Sequence, residues 1–198
     1  MKEQSDTELW AAAQAGDAAS FGALYERHAH AVYNYLFRRL ADWSEAEDLA
    51  AVVFLEAFRR RGEVAIEEGK VLAWLYGVAT NVLRNRRRAL WRHRQALSQL
   101  PPRASMPDVA ADAVARLTAQ EEMRAIREQV SSLPRAQQDV LALCLWSELS
   151  YEEAAIALGV PSGTVRSRLA RARAALAEQN SDERHRRDRR YSEEMMNP

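Results

Sequence analysis

Two clusters of arginine in a charge-balanced chain carry the clearest chemistry. Arg84, Arg86, Arg87, Arg88, Arg92 and Arg94 fall within residues 84–94, which hold no acid. Arg166, Arg168, Arg171 and Arg173 fall within residues 154–177, likewise free of acids. A guanidinium donates in a planar fork that suits phosphate and the guanine edge. One such run is as often a solvated face as a site. Two of them, each on a helical pattern, point to a polyanion. They stand out because residues 1–83 hold eight basic side chains against thirteen acids, while the whole chain has 28 of each sign.

Periodicity places both clusters on helix faces. From Val71, the residues Trp74, Leu75, Val78 and Val82 form an inward stripe, and Asn81, Arg84, Asn85 and Arg88 repeat at i, i+3, i+4, i+7 on the outer side. Stepping 100° per residue, Val165, Leu169, Ala172 and Leu176 cluster within about 60° and must face a core. Gly163, Arg166, Ser167, Ala170 and Arg171 lie opposite, with Arg168 and Arg173 on the flanks. In a major groove, Arg166, Ser167 and Arg171 would meet base edges and the flanking arginines phosphates.

No catalytic constellation accompanies them. The sequence has no Gly-rich phosphate loop, no Ser/His/Asp arrangement and no paired carboxylates in an apolar setting, so no enzyme, cofactor or metal is expected. His28, His30, His93 and His185 form no ligand cluster, and His28 reads as a partly buried core residue. Cys144, the single cysteine, excludes an internal disulfide and reads as a small core residue. Trp74 reads as packing. Trp91 is open between base stacking and burial.

The elements that must hold these faces are all helical. The chain has 36 alanines against 7 glycines and 6 prolines, a composition of helix formers with few breakers. Ser5-Asp6-Thr7-Glu8 has capping-box spacing and opens a first helix that Gly16-Asp17 ends. A second helix runs from Ala18 to about Leu40, with Trp43 in a short break. Ser44 to Glu47 is a further capping box, opening a helix to residue 60 that is apolar nearly all round. After a polar loop, Glu63 to Gly69, comes the Asn/Arg helix. These four make a first domain, residues 1–95.

Pro101-Pro102, Ser105 and Pro107 mark residues 96–117 as a flexible linker. A second domain, 118–180, starts with a helix through Glu121, Met123, Ile126 and Val130. Pro134 opens the next, with Val140, Leu141, Cys144 and Leu145 on its apolar side. Ser150-Tyr151-Glu152-Glu153 is a third capping box. The short helix behind it ends at Leu158-Gly159, and Pro161 opens the basic helix, which runs to about Ala177. Short helix, glycine turn, basic helix is a helix-turn-helix pattern. Residues 181–198 read as a charged, disordered tail that is mainly solvated. No apolar run approaches the ~18 residues of a membrane span, and the start lacks a secretory signal. The chain reads as cytoplasmic.

At this point the residues resemble a known family. Ser132-Leu133-Pro134-Arg135-Ala136-Gln137-Gln138-Asp139-Val140-Leu141, Leu149-Ser150-Tyr151-Glu152-Glu153-Ala154-Ala155 and Leu158 to Arg173 resemble region four of bacterial sigma factors of the extracytoplasmic-function class. Ala15-Gly16-Asp17, Leu24-Tyr25, Ala46-Glu47-Asp48-Leu49, Val53-Phe54-Leu55, Trp74-Leu75 and Ala79-Thr80-Asn81 resemble region two. The resemblance implies an all-α chain of two small helical domains, a four-helix region two and a helix-turn-helix region four, joined by the linker.

It also implies roles. Region two would dock on the clamp helices of the RNA polymerase beta-prime subunit through Glu45, Glu47, Asp48, Leu49, Val53 and Phe54. It would capture unpaired bases of the −10 element through Glu63, Gly69, Asn81, Arg84, Asn85, Arg87 and Arg88. Region four would rest on the beta-flap and read the −35 element through Ser162, Gly163, Thr164, Arg166, Ser167, Arg168, Ala170, Arg171 and Arg173. An anti-sigma factor often holds such proteins inactive. Ala51 and Val52 depart from the glutamine and glutamate common in the docking helix, and Ala170 is small where some relatives are bulky. Two other readings stay open: a helix-turn-helix regulator that binds duplex DNA without polymerase, and a sigma mimic that only titrates a partner. The N-terminal domain speaks against the first, the outer arginines against the second.

Overall fold

The structure, a computed structural model, describes the backbone of residues 4–97 and 113–196 and the side chains of 4–92, 117–179 and 181. Eight α-helices are formed among these residues: α1 (Asp6–Gln14), α2 (Ala18–Leu40), α3 (Trp43–Arg60), α4 (Val71–Leu97), α5 (Ala113–Ser131), α6 (Arg135–Leu141), α7 (Tyr151–Leu158) and α8 (Ser162–Met196). Most of the linker, residues 98–112, lies outside the described residues.

Local chemistry sets the boundaries. The Ser5 hydroxyl accepts the Glu8 N–H at 3.2 Å and the Glu8 carboxylate accepts the Ser5 N–H at 2.7 Å, closing the box that starts α1. Ser150 and Glu153 do the same for α7. α3 starts differently from the sequence expectation. Asp42, not Ser44, is its cap and accepts the Glu45 N–H at 2.9 Å. The start moves because Trp43, at the first helical position, stacks on Phe37 across the α2–α3 turn, ring centroids 3.5 Å apart. Ala41 makes that turn with φ 52°.

The first four helices surround a core of Leu9, Trp10, Leu24, Val32, Leu36, Val53, Val71, Leu75 and Val78. Trp74 packs edge-on against Trp10 at 5.0 Å. Deep between α2 and α4, the Tyr35 hydroxyl donates to Thr80 at 2.7 Å, and Thr80 in turn donates to the Tyr76 carbonyl at 2.8 Å. His28 is buried, with Nε2 2.7 Å from an Asp6 carboxylate oxygen.

The second half departs from the expected pattern at three places. α6 gives way to a π-helical turn, Ala142–Trp146. A π turn adds a residue to the repeat and rotates the side chains downstream of it about the helix axis. Ala142 and Leu143 therefore enter the core, Cys144 is half-buried, and Leu145 is exposed, although the 3.6 period puts Cys144 and Leu145 inside. α5 starts at Ala113, before Thr118. α8 continues to Met196, through the residues read as a disordered tail. Between Thr164 and Asn197 there is no glycine or proline to stop it, and opposite charges alternate there.

The two halves share a core. Val140, Ala142, Leu143, Ala154, Ala157, Val165 and Leu169 belong to the same buried cluster as the α1–α4 residues. They meet closely at Gly77, where a Cβ would stand 2.6 Å from the Ala157 carbonyl oxygen.

Candidate nucleic-acid interface

α7, the Gly159 turn and α8 build the first face. Gly159 has φ 64°, a left-handed conformation that a side chain resists, and so turns the chain sharply into α8. Val165, Leu169 and Ala172 are buried as the wheel requires. Gly163, Arg166, Ala170, Arg171 and Arg173 are exposed on the far side. Ser162, Thr164, Ser167 and Arg168 are half-buried, and the Ser167 hydroxyl donates to the Thr164 carbonyl at 3.1 Å. Arg166 lies over the Tyr151 ring, 5.7 Å from its centroid, so α7 helps aim it. The strip offers forked donors on a helix with small residues between them, which lets a groove wall approach.

α4 builds the second face. Asn81, Arg84, Asn85, Arg87 and Arg88 are all exposed. Trp91 is exposed beside them, so burial is ruled out for it. Two arginines are spoken for. Arg86 pairs with Glu45 at 2.9 Å, and Arg84 donates to Asp139 at 2.8 Å and to the Asn81 side-chain Oδ1 at 3.4 Å. In the loop before α4, Glu63 and Gly69 are exposed, and Gly69 has φ 71°. The Val64 carbonyl holds this loop down by accepting from Trp10 at 3.2 Å and Gln14 at 3.0 Å. Asn81 lies ten residues beyond Val71, about 15 Å along α4 from the loop.

α3 sorts its candidates into two groups. Glu47 and Asp48 are exposed, and Glu45 is half-buried in its pair with Arg86. Leu49, Val53 and Phe54 are buried in the core. The apolar side chains that do reach the surface are Val52 (45% exposed), Leu55 (49%) and Tyr25 (49%), the last edge-on to Phe54. None of these three was among the site residues expected from the sequence. The signal was there: Asp48, Val52 and Leu55 repeat at i, i+4, i+7 on the side away from Ala46, Leu49, Val53 and Ala57.

Burial pushes the Cys144 thiol up, with Arg173 opposing. Among the described residues no group of ligating side chains could hold a metal, and no helix is long and apolar enough to cross a membrane.

Comparison with known proteins bears on both faces. Residues 24–93 match the family Sigma-70 region 2, and residues 123–176 match Sigma-70, region 4. The RNA polymerase sigma factor HrpL of Pseudomonas syringae pv. syringae is 32% identical over 145 residues, 73% of this chain and 78% of that protein. The ECF RNA polymerase sigma factor SigM of Mycobacterium tuberculosis is 36% identical over 177 residues, 88% of this chain and 84% of that protein. Among solved structures, CnrH in complex with the cytosolic domain of CnrY shares the fold with TM-score 0.67 at 21% identity, covering 90% of this chain and 99% of that one. RpoE in complex with the anti-sigma factor NepR, from Bartonella quintana, does so with TM-score 0.61 at 22% identity, covering 81% and 96%.

Proposed function

The chain belongs to the sigma-70 family, in its extracytoplasmic-function class, and from that premise we propose which face does what. As a sigma factor it is a transcription initiation factor rather than an enzyme. It binds core RNA polymerase and directs it to promoter DNA.

In our reading, residues 1–95 act as region two and 118–180 as region four, with 96–117 as the tether. The exposed strip of α8, centred on Arg166, Ala170 and Arg171, reads the −35 duplex in the major groove, and Arg168 and Arg173 hold phosphates. Asn81, Arg84, Asn85, Arg87 and Arg88 on α4, with the Glu63 to Gly69 loop at its start, take the unpaired −10 bases. A positively charged track suits single strands, whose affinity is largely electrostatic. On α3, Glu47 and Asp48 with Val52 and Leu55 form the polymerase face, while Leu49, Val53 and Phe54 support it from below. An anti-sigma partner of this chain would cover the same apolar surface. The site of action is the cytoplasm, where RNA polymerase works.

The observation that carries this reading is the α8 strip, whose exposed arginines stand opposite a fully buried Val165. The test is in vitro transcription from a genomic fragment library, with core polymerase in the presence and absence of the protein. Transcripts that need the protein and share two upstream motifs support the assignment. Duplex binding without polymerase and no new transcript would overturn it.

A further inference from the structure

Trp91 is 61% exposed. The other four tryptophans are covered: Trp10 and Trp74 pack edge to face, Trp43 stacks on Phe37, and Trp146 lies against the core. A single exposed apolar side chain is ordinary. The surroundings of this one are not. Stepping 100° per residue from Arg84, Trp91 falls within about 20° of it two turns on, with Arg87 and Arg88 one turn below on either side. The buried Val71, Leu75 and Val78 lie on the opposite face of α4. Arg87, Arg88 and Arg92 are exposed, and the chain has no acid between Glu68 and Asp108.

A flat ring set among cations suits one class of ligand. Every base of an unpaired strand has a π face for the ring, and its phosphates take the flanking charges. An apolar protein partner would have to desolvate those guanidiniums with no acid on this helix to pair them. Inside a duplex, neighbouring base pairs already cover each other's faces. The inference rests on the assignment of Asn81 to Arg88 to the unpaired −10 bases proposed above. Asn81 and Trp91 are ten residues apart, about 15 Å along α4. At about 3.4 Å per nucleotide of one strand, that is about four bases. Trp91 therefore lies beyond Asn81 on the side away from the Glu63 to Gly69 loop, where it meets a different base.

We propose that Trp91 is a stacking platform: its ring holds one unpaired base of the opened promoter, about four nucleotides from the base that Asn81 meets, and so prolongs the open complex. Stacking accepts any base. Trp91 thus adds lifetime to the complex without adding a letter to the −10 sequence.

The test uses holoenzyme assembled from the full-length chain and core polymerase. The template is a promoter recovered by the library transcription, carrying a premelted bubble that spans the −10 element and several nucleotides to either side. The lifetime of the complex is read after heparin challenge. Trp91→Ala puts a better helix former at an exposed position, so the fold is kept. It is expected to shorten the lifetime about tenfold, with affinity for core polymerase unchanged, and Trp91→Phe to restore most of the loss. An abasic residue is then placed at each bubble position of either strand in turn. At one position it should make wild type and Trp91→Ala equal, about four nucleotides from the position where it cancels Asn81→Ala. Exchanging that base for any other should change the lifetime little. Equal lifetimes of wild type and Trp91→Ala on the intact bubble overturn the proposal. So does a loss that no abasic position cancels, or weakened core affinity, since either places Trp91 on the DNA backbone or on polymerase. Asn81→Ala is read in the same assay. If it shortens the lifetime and Trp91→Ala does not, the −10 assignment stands and only the platform has failed; if neither does, both have failed.

Discussion

Truncating the exposed apolar pair of α3 separates the residues that touch polymerase from those that only hold the helix up. Leu55 is 49% exposed and Val52 45%, so a partner can still bury about half of each. Removing three carbons from Leu55 and two from Val52, at about 0.8 kcal/mol per buried carbon, forfeits about 1.2 and 0.7 kcal/mol of binding. The double variant Val52→Ala/Leu55→Ala is therefore expected to bind core polymerase about 25-fold more weakly, with a melting temperature close to that of the wild type. Val53→Ala behaves in the opposite way, because Val53 is fully buried. Its lost burial and residual cavity amount to about 2–3 kcal/mol of folding stability, or about 5–10 °C in Tm for a chain of this size. Its affinity for polymerase, measured well below that Tm, should change little. The assay is a titration of labelled core polymerase, with thermal melts alongside. Unchanged affinity in the double variant would refute the reasoning, as would weakened binding by Val53→Ala at full stability.

Other perturbations have equally definite outcomes. Arg171→Ala should relax discrimination at one position of the −35 element by about 1–3 kcal/mol, the worth of a forked contact to guanine. A uniform loss over all sequences in a competition assay would mean that Arg171 touches only phosphate. Asn81→Ala should impair strand opening, tracked by permanganate reactivity of the −10 thymines, more than closed-complex binding; equal loss in both would remove Asn81 from the −10 site. Ser150→Ala opens the α7 capping box and should lower stability by about 1 kcal/mol. The same substitution bears on pH. The Glu153 carboxyl is held below its usual range by the Ser150 backbone N–H and then by its hydroxyl. A depressed folded-state pKa stabilises above the unfolded value and is lost as pH falls through the folded one. The variant should lose less on acidification than the wild type, as read from melts between neutral pH and the acid range.

Local chemistry was the part of the molecule that sequence reasoning reached most directly. The boxes at Ser5 and Ser150, the turn at Gly159 and the face of α8 all depend on residues within a few positions of one another. The misses arose where distant contacts decide. Trp43 joins α3 because Phe37 lies under it. Leu49, Val53 and Phe54 carry the family motif but point inward, and helical azimuth rather than motif position separates them from Val52 and Leu55. The π turn after Leu141 has no glycine or proline to announce it; it forms where Trp146 and the residues before it meet α2. Arg86 and Arg84 read as equivalent members of one basic run, yet one is engaged by Glu45 and the other by Asp139.

The core shared between the two halves bears on how long the free chain survives. Each half alone is a domain of fewer than a hundred residues, small enough to be marginal in stability. Joined through Gly77 and Ala157 they should melt in a single calorimetric transition. Once parted, each loses the apolar surface the other covered and should melt separately and earlier. Proteases that attack open states sample that population. A sigma factor that is not held by polymerase and has come apart would therefore be the one degraded first, so that its lifetime, and not only its affinity, depends on whether the halves are together.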